Sequence, residues 1–310
     1  MVLFKRILWR LIASVGVLWG AATLTFVAIN VAEGDTALAI LGGEEAMPTR
    51  EVLARVRLDY GLDKPLIEQY AAYVGRVVRG DLGQSYRMRI PVVKAIGQQL
   101  GATAILTLAA SVTAVVLAVV IALATARRTG WLRSITSGAE VMVSSIPAFV
   151  LGILLLLVFS FQFRLLPSSG DHGWRSLVLP VLTLALPISA VLTQVLRQEL
   201  EDILEQPFIV TARARGMSEA GVRLRHALRH ALIPLTTLTG FIVGGLLGGA
   251  VIVETLFARQ GVGRLMIEAT TNRDVPVVLG VTLLAAFVYV LVNLLVDVTY
   301  AFIDPRVRVT

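Results

Sequence analysis

Marking every Asp, Glu, Lys and Arg along the chain leaves six long charge-free intervals: Leu11–Ala32, Ala95–Ala126, Val141–Phe163, Ser176–Leu196, His230–Val253 and Val275–Val296. A helix needs roughly 20 apolar residues to cross about 30 Å of hydrocarbon, and every interval meets that length. The second opens with a polar lead-in at Gln98 and Gln99. Lipid offers no partner to backbone N–H and C=O groups, so the pattern predicts six transmembrane α-helices and an all-α polytopic membrane fold. The first interval exceeds the roughly 7–15-residue apolar core of a signal peptide and is anchored by Lys5, Arg6 and Arg10, so it is expected to remain as a spanning helix.

Lys and Arg in short flanks set orientation. With the N-terminus inside, the inner segments hold Lys5, Arg6, Arg10, Arg127, Arg128, Arg133, Arg213, Arg215, Arg223, Arg225, Arg229, Arg306 and Arg308. The short outer loops hold Arg175, Arg259, Arg264 and Arg273. Both termini are therefore expected in the cytoplasm. The chain divides into residues 1–32 (tail and first span), 33–97 (an extracytoplasmic helical lobe) and 98–310 (a five-span core containing a cytoplasmic loop, 198–235).

Both polar segments carry helical periodicity. In the lobe, Val52, Val56 and Leu58 form one apolar series and Leu66, Ile67, Tyr70, Tyr73, Val74 and Val77 another. Thr49 is placed to cap the first helix, and Gly80-Asp81-Leu82-Gly83 reads as a turn. A solvated structural lobe and a docking platform for an external partner both fit. In the inner loop, Pro207 suits the first turn of a helix running to about Arg215, which Gly216 stops. Ser218 caps a second helix, expected from Glu219 to about Leu232, before Pro234. Leu224, Leu228, Ala231 and Leu232 share one face of it, with Arg223, Arg225, Arg229 and His230 elsewhere. Two short helices thus meet at a glycine elbow. Either they lie on lipid headgroups or they form a docking knob for a cytoplasmic protein.

Composition narrows the function. The chain has 310 residues, is 56% hydrophobic and only 16% charged, and its mean hydropathy is +0.79. Soluble domains carry about 25% charged residues, so an ordinary cytosolic enzyme is excluded. The net charge of +7 sits in the flanks of apolar runs, which points to a bilayer and not to nucleic acid. There is no Cys and no Gly-Lys dipeptide, hence no thiolate chemistry and no P-loop for ATP. His226 and His230 stand among arginines that would repel a metal cation, and Ser144-Ser145 has no partnered His or Asp. No catalytic or metal site is expected.

Glu140, Glu254 and Asp297 fall near the ends of apolar runs, where solvation at a helix end is the simplest reading. A pathway so poor in charge suits a neutral or zwitterionic cargo, or one moved by another subunit's work. Gly240, Gly244 and Gly248 are spaced by four, as are Gly245 and Gly249, which lets helix backbones approach closely near the pathway. Pro147, Pro180 and Pro187 are expected to bend or break their helices.

The segment Phe208–Thr237 resembles the cytoplasmic "EAA" loop of ABC-importer permeases, most closely that of the oligopeptide/dipeptide (and nickel) permease family. Asp59-Tyr60-Gly61-Leu62-Asp63-Lys64-Pro65, Arg79-Gly80-Asp81-Leu82-Gly83-Gln84-Ser85, Leu166-Pro167-Ser168-Ser169-Gly170, Val253-Glu254-Thr255-Leu256-Phe257, Asn272-Arg273-Asp274-Val275-Pro276 and the tail Asp304-Pro305-Arg306 fit the same family. Thr211 stands where the loop's name-giving Glu would be, and Glu33-Gly34-Asp35 replaces the usual Pro-Gly-Asp turn.

The resemblance implies a bacterial inner-membrane subunit forming half of a translocation pathway for di- or oligopeptides. It would work with a second homologous permease, two cytoplasmic ABC ATPase domains that bind ATP and Mg, and an extracytoplasmic substrate-binding (lipo)protein. This chain itself would bind no cofactor. By the same resemblance Thr211, Ala212, Arg213, Ala214, Arg215, Gly216, Met217, Ser218 and Glu219 would form the ATPase-coupling loop. The alternatives are a self-sufficient secondary transporter or channel for small neutral solutes, and a membrane scaffold.

Overall fold

The computed structural model describes residues 2–31, 36–41, 47–59, 61–128, 130–170 and 173–303. Glu33-Gly34-Asp35 and Asp304-Pro305-Arg306 lie outside them, as does the side chain of Asp297. Among the described residues the regular elements are helices: α1 (Val2–Val31), α2 (Thr36–Ile40), α3 (Arg50–Asp59), α4 (Leu66–Val78), α5 (Val92–Thr125), α6 (Trp131–Ser145), α7 (Ala148–Leu155), α8 (Trp174–Leu204), α9 (Pro207–Ala214), α10 (Glu219–Gly221), α11 (Leu228–Leu256), α12 (Val262–Thr271) and α13 (Val275–Ile303). Wider π-type turns at Leu156–Gln162 and Val222–Ala227 extend α7 and lead into α11.

Four stretches are long and apolar enough to cross a bilayer: α5, α8, Pro234–Leu256 of α11 and Val275–Leu295 of α13. The pair α6 and α7 adds a fifth if its two limbs, bent by 110°, count as one. The first charge-free interval lies in α1 as far as Val31, and the apolar part of that helix is Ile12–Ala28. The third interval is not one helix. Ile146, the residue before Pro147, is forced to an extended backbone (φ −82°, ψ 127°), and the chain turns there. Pro180 and Pro187 do not break their helix, for α8 runs through both without interruption. In lipid the helix is the only economical state for the backbone, and two hydroxyls add side-chain bonds to carbonyls just before the prolines. Thr183 Oγ1 donates to the Leu179 carbonyl and Ser189 Oγ to that of Leu186, both at 2.8 Å.

The chain forms two compact units, Met1–Thr103 with Gln260–Val290, and Ala104–Arg259 with Leu291–Thr310. In the first, Thr49 caps α3 as expected, its Oγ1 accepting from the Val52 N–H at 3.4 Å. The periodic apolar face of α4 lies against α1: Phe26 meets Tyr70 edge-on at 5.4 Å and stacks on Tyr73 at 5.6 Å, and the Tyr70 hydroxyl reaches Thr23 Oγ1 at 2.6 Å. The expected turn after α4 is present. Asp81 and Gly80 donate back to the Arg76 and Val77 carbonyls, and Asp81 Oδ1 accepts from the Gly83 N–H at 2.9 Å.

Asp274, buried at the head of α13, fastens the segment that follows. It accepts from Ser85 Oγ at 2.5 Å, Tyr86 N at 3.1 Å and Arg87 N at 3.3 Å. Thr103 Oγ1 of α5 likewise accepts from Val262 N at 2.8 Å, satisfying the start of α12. Val92, Ala95 and Ile96 then pack against Val262, Leu265, Ala269, Val277 and Val281.

In the second unit α5 turns Ala110, Ala114, Ala118 and Ala122 inward, all fully buried like Ala126 just beyond its end, while Ile105, Leu108, Val112, Val116 and Val120 are exposed. Small inside and large apolar outside is the arrangement expected where lipid is the solvent. Helix α8 is the most enclosed: 61% of its most apolar window is buried, against 22–28% for α5, α11 and α13. Leu192, Leu196, Leu200 and Leu204 on α8 meet the alanine face together with Val222, Ala227, Ala231 and Leu235.

A Cβ added at Gly280 would stand 2.5 Å from Val92 Cγ1, whereas one at Gly97 meets nothing within 4 Å. Gly280→Ala is expected to destabilise the chain by about 1–3 kcal/mol through overpacking, and Gly97→Ala to leave the melting temperature unchanged or slightly raised. Thermal unfolding of the detergent-purified variants checks both.

Candidate functional site

The loop between α8 and α11 is built as an elbow. Gln206 has an extended backbone and Pro207 occupies the first helical position of α9. Ile209 and Ala212 of α9 are buried in the core shared by α8 and α11, while Phe208, Val210, Thr211, Ala214 and Arg215 are exposed. At the other end Gly216 adopts φ +81°. Its N–H bonds the Arg213 carbonyl at 2.9 Å, and Met217 N–H bonds that of Ala212 at 3.3 Å, which closes the helix in a Schellman motif. A side chain at position 216 meets no neighbour, so the backbone angle is what demands glycine there.

Ser218 caps the next helix, its Oγ accepting from Gly221 N–H at 3.3 Å. Across the elbow Arg213 clasps Glu219 with two bonds, Nε–Oε1 at 2.7 Å and Nη2–Oε2 at 3.2 Å. The hydrogen bond from Arg213 holds the Glu219 carboxyl below the usual carboxylate range, and the same bond raises Arg213. The Phe208 ring lies 5.3 Å from that of His230, bracing the start of α9 against α11.

The second helix of the elbow differs from expectation in two ways. It does not stop before Pro234. Helix α10, the π-type turn and α11 run on as one rod to Leu256, because the apolar sequence beyond Pro234 favours an unbroken backbone. The inward face is also displaced: Val222, Ala227, Ala231 and Leu235 are buried, and Leu224 is 58% exposed. The wider π-type turn inserts one residue into the repeat, so the buried series advances by five and then by four.

Around the elbow, charges bind α8 to its neighbours. Arg133 holds Glu201 through Nη1–Oε1 at 2.5 Å and Nη2–Oε2 at 3.2 Å, and Arg127 reaches the Leu204 carbonyl at 3.3 Å. Arg223 Nη1 donates to the Leu123 carbonyl at 3.3 Å. One turn deeper, Arg197 is 7% exposed at its side chain and donates to Thr125 Oγ1 (2.9 Å), Ser137 Oγ (3.0 Å) and Glu140 Oε1. Solvation at a helix end is therefore the wrong account of Glu140, which is paired and buried. Glu254 is fully buried too, which overturns the same expectation for it. The Arg197 cluster is not visible in the spacing of the sequence. Its only signal is an Arg and a Glu at the edges of adjacent apolar runs.

Of the five α11 glycines, Gly240 and Gly244 are buried within the chain, Gly249 is half-buried against Leu184, and Gly245 and Gly248 are exposed. Among the described residues no group of acidic and histidine side chains is arranged to hold a metal ion.

Residues 114–309 match the family described as the binding-protein-dependent transport system inner membrane component, and residues 3–107 match the N-terminal family of the same membrane components. The chain is 37% identical over 307 residues to the glutathione transport system permease proteins of Escherichia coli strain K12 and Salmonella choleraesuis strain SC-B67. In each case 99% of both chains is covered.

Removing one member of a buried ion pair strands the other. Arg197→Ala is expected to cost about 3–5 kcal/mol, and the double change Glu140→Leu with Arg197→Met to recover most of it; thermal unfolding of the purified chain reads both. At the elbow the sign runs the other way with acid. Because the folded-state carboxyl of Glu219 is depressed, the clasp is intact above the ordinary carboxylate range and is lost as pH falls through that depressed value. Amide exchange at Met217 and Gly221 should quicken only there in the native chain, and already at neutral pH in Glu219→Gln.

Proposed function

This chain belongs to the family of binding-protein-dependent inner-membrane transport components, and from that premise we propose how it couples a cytoplasmic motor to a membrane pathway. It is a multi-pass permease and not an ATPase. In the proposed arrangement α1 and the bent α6–α7 pair complete a set of six spans. Both termini and the elbow lie in the cytoplasm, and residues 33–97 lie outside. A second homologous permease supplies the other half of the pathway, two ATPase domains bind ATP and Mg, and an external binding (lipo)protein delivers cargo. The relatives are named as glutathione transport permeases, which favours a small peptide as cargo.

The observation that carries the coupling proposal is the two-sidedness of α9. Ile209 and Ala212 fix it to the core of α8 and α11, while Phe208, Val210 and Arg215 stay open to a partner. A force on the outer face reaches α8 and α11 because the Schellman closure, the Arg213–Glu219 clasp and the Phe208–His230 contact leave little slack. ATP-driven closure of the motor then shifts the population of pathway states through differential contacts at residues 208–222.

Gly216→Val forces a β-branched residue into a left-handed backbone. ATP hydrolysis by the assembled complex is expected to persist while peptide uptake falls by about tenfold or more. Gly216→Asn, which tolerates that backbone, should keep most of the uptake. Normal uptake in Gly216→Val would refute the coupling role, and uptake by the purified chain alone without ATP would favour a self-sufficient carrier.

A further inference from the structure

The first unit contains a cavity of about 380 Å³ between α1, α4, the turn after α4 and the head of α13. That volume lies within the range of small-ligand sites, roughly 300–1,000 Å³. Phe26, Leu82 and Leu279 give it apolar wall, and Arg76, Asp81 and Gln84 are exposed at its edge. Tyr73 is 93% buried, by its 7% relative exposure, and its hydroxyl has no hydrogen-bond partner. That oxygen is closed off from solvent, so Tyr73 meets the cavity with its ring and adds to the apolar wall.

Arg76 and Asp81 stand on adjoining backbone, for the Asp81 N–H bonds the Arg76 carbonyl at 3.0 Å. Among the described residues neither forms an ion pair. One Asp81 oxygen accepts from Gly83 N–H, which leaves the other without a protein donor. Burial and the neighbouring Tyr70 push the Tyr73 phenol up to about 12, so it stays neutral at any physiological pH. A cation, an anion and an apolar wall around one cavity match a molecule carrying both an ammonium and a carboxylate.

We propose that this cavity binds a small zwitterion of amino-acid or short-peptide size. Arg76 takes the carboxylate and Asp81 the ammonium, with the apolar wall meeting a side chain. The proposal rests on the reading that residues 33–97 face outside. It deepens that reading by giving the permease its own contact with cargo, separate from the binding protein.

The test uses the full chain in lipid nanodiscs with its co-purifying subunits, freed of binding protein and without ATP. The probe is radiolabelled glycyl-leucine, with its N-acetyl and C-amide forms as competitors. Saturable binding is expected, weakened about tenfold by blocking either end, as befits loss of one charge-assisted contact. Arg76→Gln should lose about tenfold and cease to distinguish the C-amide; Asp81→Asn should do the same toward the N-acetyl form. Absence of saturable binding by the native chain at millimolar peptide would overturn the proposal, as would equal binding of the blocked peptides, a comparison that needs no variant. A failure of the transport reading would look different: binding present, but no ATP-driven uptake by the complete complex.

Discussion

The Arg197 guanidinium is the tie on which the second unit depends. It projects from the most enclosed helix and reaches three side chains, on α5 (Thr125) and α6 (Ser137 and Glu140). A cation in that position is costly unless its donors are spent, and here each nitrogen has an acceptor. The arrangement fixes the register of α8 against both neighbours. Because α8 ends at Leu204 and α9 begins at Pro207, it also fixes where the elbow stands. A turn further on, Arg133 and Arg127 repeat the same solution at Glu201 and Leu204, this time nearer solvent. The elbow thus hangs from a helix whose rotation and height are set by directional bonds, where packing alone would let it slide.

Packing in this chain follows the demands of lipid. Where water surrounds a protein, large apolar side chains go inside. On α5 the alanines are inside and the valines and leucines outside, so association comes from close backbone approach and not from removing surface from water. Glycine at position 280 serves the same purpose in the first unit, admitting Val92 to contact. Directional polar bonds then supply what non-directional packing does not, as Asp274 does for Ser85, Tyr86 and Arg87.

Much of the helical order is legible in the residues. Pro207, Gly216 and Ser218 mark three boundaries of the elbow because each acts through its own backbone or cap. Thr49 and the apolar series of α4 are legible for the same local reason. What escapes is whatever depends on a distant partner or on a shift of period. Pro234 reads as a stop, yet the rod continues. Leu224 reads as inward, yet the π-type turn swings it out. Ala258 and Arg273 end their helices in left-handed conformations (φ 47° and 52°) without the glycine that would announce it. The Glu140–Arg197 pair joins residues 57 apart, and no spacing rule connects them.

The first unit is assembled from two stretches of chain with the second unit's main body encoded between them. Its clasps span that gap: Asp274 meets Ser85 across 189 residues and Val262 meets Thr103 across 159. On the ribosome α1 therefore emerges early, but the unit to which it belongs cannot close until α12 and the head of α13 have been made. Contacts of such long separation form slowly. Order of insertion and order of completion are opposed, and Ser85, Val92 and Thr103 must wait through synthesis of α6 to α11 before their partners arrive.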